Sequence, residues 1–462
     1  MTTTPTPPTP TPDPVPEVLT AGDADRRAAG VAAWLAARGA TPGDRLVLAA
    51  PGGAAVVAAA LGALRAGVVP VVLDPALPAA ELRATVADAD PVAVLSDPAE
   101  LAAAAAPARA PGTRGPLLGR PMHYTSGTTG RRKGVWSGVL EPAAAAALWD
   151  EEADLWGMAP DDVHVVASPL YHSAPLRFAL VTLLRGGAVV LPGRFDAARF
   201  AHVCAQHRAT TTFMAPTQLG RLRGVLGDAA PLTSLRLLAH AGAPCPGAVQ
   251  RWAIGVLGPE RVSEFYGSTE GQFTVCRGDE WLARPGTVGR ARPNRRLDVD
   301  GDGRIWCTVP PYARFTYWRD PERTAAAWRG DAFTVGDAGH LDGDGYLRLL
   351  GRRDDLVISG GVNVYPAEVE RVLGELPGVT EVAAFGVDDE EWGQRLEVAV
   401  VGSVDERAVL DHARGSLPPA RRPKRVHVVE DLPRTSTGKV LRRELRRVLG
   451  VADLVERGDH AR

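Results

Sequence analysis

Residues 124–134 read YTSGTTGRRKG. Within it, Thr125, Ser126, Thr128 and Thr129 surround Gly127 and Gly130, and Lys133 closes the run. Glycines let successive backbone N–H groups turn toward one point, and hydroxyls add donors, which suits polyphosphate oxygens. The spacing is not the G-x-x-x-x-G-K-[ST] of a Walker loop. Taken alone, such a run reads equally well as a flexible loop. The lysine adds weight, because of 52 Lys+Arg in the chain only Lys133, Lys424 and Lys439 are lysine. Lys is a compact point charge on a flexible stem, whereas Arg is a planar fork. A chain that writes Arg nearly everywhere keeps Lys where the fork does not fit, and Lys133 and Lys439 both sit beside glycines and hydroxyls.

On both sides of this run, helical stretches alternate with short apolar ones. RRAAGVAAWLAARG, AAVVAAALGALRAG, AAELRATVADAD, PLRFALVTLLRGG and FDAARFAHVCAQH read as helices. RLVLAA, VVPVVLD, PVAVLSD, DVHVVASPL and AVVLPG read as strands between them. Such alternation predicts crossover units on mainly parallel sheets. After about residue 285 the pattern changes to short β-like pieces rich in Gly and Asp, and a small α+β unit follows from Leu356. The charged connection in LLGRRDDLVISGG suits an exposed boundary. The expected fold is therefore α/β: a large N-terminal domain of stacked, mainly parallel sheets with flanking helices and a small β-region, then a small mobile C-terminal α+β lid. The expected boundaries are a disordered Thr/Pro-rich leader over 1–17, the N-terminal domain over 18–353, the lid over 354–455 and a tail over 456–462.

The 462 residues exceed what one core supports, since single cores stop growing near roughly 250–300 residues. With 45% hydrophobic and 23% charged residues the composition is that of a soluble globular protein. A net charge of −2 argues against nucleic acid or an anionic membrane as partner. The four cysteines are scattered without a CxxC pair, which points to a reduced, cytoplasmic protein and away from structural zinc. The most apolar run, around 54–73, is broken by Arg65 and Pro70 and reads as a buried helix and strand, not a membrane span.

Three further motifs carry chemistry. EFYGSTEG (264–271) sets Tyr266, Thr269 and Glu270 around glycines: an aromatic can stack on a base, Thr can meet a phosphate oxygen, and Glu can hold Mg²⁺. VGDAGHLDGDGY offers Asp337 for ribose hydroxyls, although Asp in a Gly-rich turn is ordinarily local turn chemistry. PRTSTGKVLRREL carries Lys439 ahead of an Arg-rich helix. Together and in this order, the four motifs resemble the successive core motifs of the AMP-forming acyl-CoA synthetase superfamily, which also holds nonribosomal-peptide adenylation domains and beetle luciferases. GRRDDLVISGGVNVYPAEVERVL is similar to the acyl- and aryl-CoA ligase branch, and the likeness runs from about residue 20 to about 450.

The resemblance implies ATP, Mg²⁺ and coenzyme A as cofactor and co-substrates, and it implies roles. Thr125, Ser126, Gly127, Thr128, Thr129, Gly130 and Lys133 would bind the β- and γ-phosphates. Gly242 and Ala243 would border the adenine, with Ala241 toward the acyl pocket. Tyr266 would pack on adenine, Thr269 would touch the α-phosphate, and Glu270 would hold the metal. Asp337 and Arg352 would bind ribose, Asp354 would be the hinge, and Gly360 and Gly361 would pass the pantetheine. Lys439 would reach from the lid to the carboxylate and the α-phosphate.

For the acid, the resemblance places His172 in PLYHSAPLRF at the pocket, with Phe178, Ala241, Gly267 and Phe273 lining it. Tyr171, His172 and Ser173 stand where amino-acid-activating relatives place an Asp, which argues against an amino acid. An apolar fatty or aromatic acid is expected rather than a small dicarboxylate. The acceptor is expected to be coenzyme A, with the phosphopantetheine thiol of an acyl-carrier protein as the alternative. A catalytically silent binding homologue is the remaining reading, against which Lys133, Glu270, Asp337, Arg352 and Lys439 stand together. The expected state is a monomer or homodimer.

Overall fold

The computed structural model describes residues 15–108, 115–125, 132–227, 232–434 and 440–451. Its centre is an eight-stranded sheet in the order Glu17–Thr20, Ala188–Leu191, Val163–Val166, Thr211–Met214, Leu237–His240, Val262–Glu264, Thr274–Arg277, Arg290–Ala291. The five strands from Ala188–Leu191 to Val262–Glu264 are mutually parallel, and the outer ones are antiparallel. Parallel strands are covered on both faces, so they read as near-continuous apolar runs. TTFM and LLAH are buried at every position. A second sheet orders Val69–Val72, Arg45–Leu48 and Ala93–Leu95, all parallel.

The main core lies between these two sheets. Helices Ala54–Arg65 and Ser173–Leu184 fill that layer, against Leu46 and Leu48 on one side and Phe213 and Ala239 on the other. Helix Ala54–Arg65 is apolar almost all round, as a helix sandwiched between layers must be. It packs closely on helix Ala21–Ala36: a Cβ on Gly62 would stand 2.5 Å from the Ala28 carbonyl oxygen. Glu17 caps the buried helix through an Ala54 N–H bond of 3.1 Å. Glu17 also pairs with Leu191 in the sheet, so ordered structure begins inside the stretch expected to be leader. Helices Ala197–Gln206, Pro216–Leu226 and Gly247–Leu257 cover the opposite face of the large sheet.

Short antiparallel pieces close the N-terminal body. His123–Thr125, Lys133–Trp136 and Thr316–Tyr317 form one three-stranded sheet. Asp337–Leu341 and Leu347–Arg352 form a hairpin. Beyond the 3₁₀ turn Arg353–Asp355, strands Val357–Ser359, Val362–Val364, Val379–Asp389, Gly393–Gly402 and Arg425–Val428 build a separate five-stranded sheet. Helices Pro366–Leu373 and Glu406–Ser416 pack on one face of it and Arg442–Val448 on the other. The expected α/β class with a small C-terminal α+β unit is what the structure shows. Among the described residues, no helix is long and apolar enough to cross a membrane.

Candidate active site

In an open parallel sheet, ligands gather beyond the carboxyl ends of the strands. Three of the sequence motifs end there on strands that share one sheet. His172 follows Val163–Val166 and leads into helix Ser173–Leu184, Ala241 and Gly242 follow Leu237–His240, and Tyr266 to Glu270 follow Val262–Glu264. Antiparallel pairing places Thr125 directly opposite Lys133, so the glycine–hydroxyl run joins two adjacent strands. Ser126, Gly127, Thr128, Thr129, Gly130 and Lys439 lie outside the described residues.

Two polar groups assemble from distant parts of the chain. In the first, Tyr266 donates its hydroxyl to Asp337 Oδ2 at 2.6 Å, and Arg352 Nε stands 3.4 Å from Asp337 Oδ1. Asp337 and Arg352 are cross-strand partners in the hairpin, so one turn geometry presents both. Burial, then the neighbouring carboxylate, pushes the Tyr266 phenol well above its ordinary value, which keeps it a donor. In the second group, Lys133 Nζ lies 2.9 Å from Glu270 Oε1 and 3.0 Å from the Tyr317 hydroxyl, which itself donates to Glu270 Oε1 at 2.8 Å. Burial alone would raise the Glu270 carboxyl, but the Lys133 charge and these hydrogen bonds hold it below the ordinary value. Lys133 also sits 4.3 Å from the centre of the Tyr317 ring. Tyr317 was not foreseen. Its strand pairs with Val135, which shares a face with Lys133, and only the fold reveals that register.

Mg²⁺ usually takes one or two carboxylates and completes its shell with water and phosphate oxygens. Glu270 fits that role, since Lys133 and Tyr317 both engage Oε1 and leave Oε2 without a side-chain partner among the described residues.

None of the residues expected to line the acyl pocket, His172, Phe178, Ala241, Gly267 and Phe273, borders the cavity beside the Tyr266–Glu270 loop. Phe178 is fully buried and packs on Trp156, His164 and Phe213, inside the main core. Phe273 is fully buried between Tyr266 and Phe333. Neither lines the cavity beside the Tyr266–Glu270 loop. The helix rotates about 100° per residue, and it is Arg177 that faces the cavity in place of Phe178. Gly267 bridges to Gln272 across the loop, Ala241 is buried, and His172 tilts against Tyr171 with ring centroids 4.7 Å apart.

The cavity is lined by charged side chains together with Leu148, Trp149, Val309 and Ala313. Arg120, Arg177, Arg292 and Arg295 face it together with Glu151 and Glu152, which are neighbours on helix Pro142–Leu155. Glu152 accepts from Trp156, Arg177 and Arg292 at 2.8–3.2 Å. Burial would raise its carboxyl, yet Arg177 and Arg292 hold it down at about 2. Glu151 accepts from Arg295 and Tyr312 at 2.7–3.1 Å and forms an ion pair with Arg292 Nη2 at 3.1 Å. Among the described residues, the Arg120 side chain reaches only backbone carbonyls, those of Glu270, Ala313 and Arg314. Sequence reading missed all of these; a single Arg inside the apolar helix SAPLRFALVTLL was the available signal.

In the C-terminal unit, Gly360 and Gly361 form the tip of the hairpin Val357–Ser359/Val362–Val364, both at positive φ. A Cβ on Gly360 would meet the Trp392 ring at 2.8 Å, and Lys424 Nζ lies 4.2 Å from that ring's centre. Asp354 is exposed in the turn between the two units.

Residues 15–116 and 121–307 match the model of the AMP-binding enzyme family, and residues 368–439 match that of the AMP-binding enzyme C-terminal domain. A feruloyl-CoA synthase from an Amycolatopsis species is 34% identical over 94% of each chain. The indoleacetate–CoA ligase of Aromatoleum aromaticum is 34% identical over 75% of this chain and 69% of its own. ATP-bound MatB from Rhodopseudomonas palustris superposes with a TM-score of 0.79 at 33% identity, covering 92% of both chains. With these likenesses and the site they accompany, the chain belongs to the AMP-binding enzymes, among the AMP-forming acyl- and aryl-CoA ligases.

Proposed function

We propose that the protein joins a carboxylic acid to coenzyme A in two half-reactions at this site. A carboxylate oxygen attacks the α-phosphorus of ATP, pyrophosphate leaves, and an acyl-adenylate forms. The thiol of coenzyme A then attacks the acyl carbon, its proton passing to solvent, and AMP leaves with the oxygen it acquired. The observation that carries this reading is the convergence of Tyr266–Asp337–Arg352 and Lys133–Glu270–Tyr317 at the carboxyl ends of one parallel sheet, joined through the single loop 266–270.

The first group suits adenosine: Tyr266 offers a ring for the base, and Asp337 offers acceptor oxygens for ribose hydroxyls. The second suits phosphate, with Lys133 as a point cation following the glycine–hydroxyl run and Thr269 placed to meet the α-phosphate. Bound at Glu270, Mg²⁺ would neutralise phosphate charge. Two anions must approach in the first step, and preorganised cations are worth the most where water is excluded. Lys439 is the residue that would supply such a cation from the C-terminal unit. Its withdrawal would follow rotation about Asp354, bringing the Gly360–Gly361 hairpin to the site for the second step. Domain rotation about a short hinge is a common way to build two sites on one scaffold.

Incubation of the protein with ATP, Mg²⁺ and a panel of acyl and aryl acids, read by mass spectrometry, tests the reading. An adenylate without coenzyme A and a thioester with it are expected. An adenylate that never passes to coenzyme A but loads a carrier protein would shift the acceptor, and no adenylate from any acid would refute the activity.

A further inference from the structure

We infer that the acid taken by this site is short and carries a second anionic group, a distal carboxylate, which the arginine-lined cavity receives. The inference rests on the ligase reading and narrows its substrate. Four guanidinium groups face two carboxylates there, and both carboxylates are already fully engaged with arginines, Trp156 and Tyr312. Buried charge without a partner is costly, so a net excess of two cations calls for an anion.

Unfilled donors point the same way. Among the described residues, Arg120 Nε, Arg177 Nη2, Arg292 Nε and the Ser268 hydroxyl are buried without a hydrogen-bond partner. Gln272 is 6% exposed and lines the cavity, and among the described residues neither atom of its amide is bonded. Burial, and then the Arg177 and Arg295 charges beside it, also lower the Arg120 guanidinium to about 10.

Position makes the anion part of the acid. Ser268, Thr269 and Gly271 form one wall of the cavity, and on the ligase reading Thr269 is the residue that would touch the α-phosphate. A group in the cavity is thus one short molecule away from the bond being made. The cavity holds about 40 Å³. Since about 10–15 Å³ suffices for one water, this accommodates a carboxylate and not a long acyl chain. The arginine fork is also the side chain best matched to a carboxylate. Leu148, Trp149, Val309 and Ala313 also border the cavity, whereas Phe178 and Phe273 are packed elsewhere.

Acid-dependent exchange of pyrophosphate into ATP, with acids paired by chain length (succinate and butyrate, glutarate and valerate), tests the inference. The dicarboxylate is expected to exceed its partner in kcat/KM by at least about tenfold, because a site built around buried donors rejects an analogue that leaves them unpaired. Arg177→Met should remove most of that preference. Should the variant not fold, thermal stabilisation of the wild-type protein serves: succinate should raise the melting temperature, and butyrate and inorganic phosphate should not. Equal or better exchange with the monocarboxylates overturns the inference and leaves the ligase reading standing. Stabilisation by phosphate equal to that by succinate overturns it too, making the cavity a free-anion site. Exchange with no acid at all defeats both.

Discussion

Tyr317 offers a clean probe of how the phosphate side of the site is built. Its hydroxyl accepts from Lys133 at 3.0 Å and donates to Glu270 at 2.8 Å, so it fixes the lysine and the carboxylate against each other. Both Tyr317 and Glu270 are 4% exposed. Burial and the Glu270 charge raise the phenol well above its ordinary value, so it remains a donor at any working pH. Tyr317→Phe removes the hydroxyl and keeps the ring, including its stacking beside Lys133 at 4.3 Å and its edge contact with Phe315 at 5.4 Å. A hydrogen bond to a charged group is worth about 1.5–3 kcal/mol. At about 1.4 kcal/mol per decade this predicts a loss of roughly 10- to 150-fold in kcat/KM. Acid-dependent pyrophosphate exchange, repeated over a series of Mg²⁺ concentrations, reads it, and the Mg²⁺ requirement should rise in the variant. A kcat/KM within about twofold of wild type, with an unchanged Mg²⁺ profile, would refute the idea that Tyr317 positions these groups.

Other perturbations follow from the same geometry. Asp337→Ala removes the acceptor for the Tyr266 hydroxyl and for ribose, and calorimetry should show AMP binding weakened about tenfold or more, each lost bond to a charged group costing about 1.5–3 kcal/mol; unchanged binding would contradict the assignment. Gly62→Ala forces a methyl to 2.5 Å from the Ala28 carbonyl and 2.8 Å from Val31 Cβ, and overpacking of this kind costs about 1–3 kcal/mol in a denaturant melt. Glu264, buried on a central strand, has its carboxyl pushed up to about 8 from 4.5. Between those values the native state keeps a proton that the unfolded chain has lost, so this group lowers stability as pH rises through the window, by up to about 1.4 kcal/mol per unit. Glu264→Gln should therefore gain on the wild type between pH 5 and 8 in urea melts, whereas a constant difference would show that the carboxyl titrates normally.

Much of the fold and half of the site were legible because their signals are local. The alternation of helical and apolar runs announces a parallel sheet, and TTFM and LLAH are buried throughout, as such strands require. Motifs already recognisable in the chain, Tyr266 with Asp337 and Lys133 with Glu270, meet across 71 and 137 residues. What escaped depends on register and rotation. Tyr317 reaches the site because its two-residue strand pairs opposite Val135, a pairing that no short run encodes. Phe178 looked like pocket lining in an apolar stretch, but the helix turns it into the core and presents Arg177 to the cavity. Arg120, Arg292 and Glu152 converge from three separate segments, and in a chain so rich in arginine none of them stands out.

The most direct test of the central claim is to follow oxygen. An acid labelled with ¹⁸O in both oxygens of the reacting carboxylate, incubated with the protein, ATP, Mg²⁺ and coenzyme A, should yield AMP carrying one ¹⁸O per molecule and a thioester retaining the other. That outcome requires attack of the carboxylate on the α-phosphorus followed by thiol displacement of AMP. Unlabelled AMP, or label found in inorganic phosphate beside ADP, would contradict an adenylate and with it the account of this site.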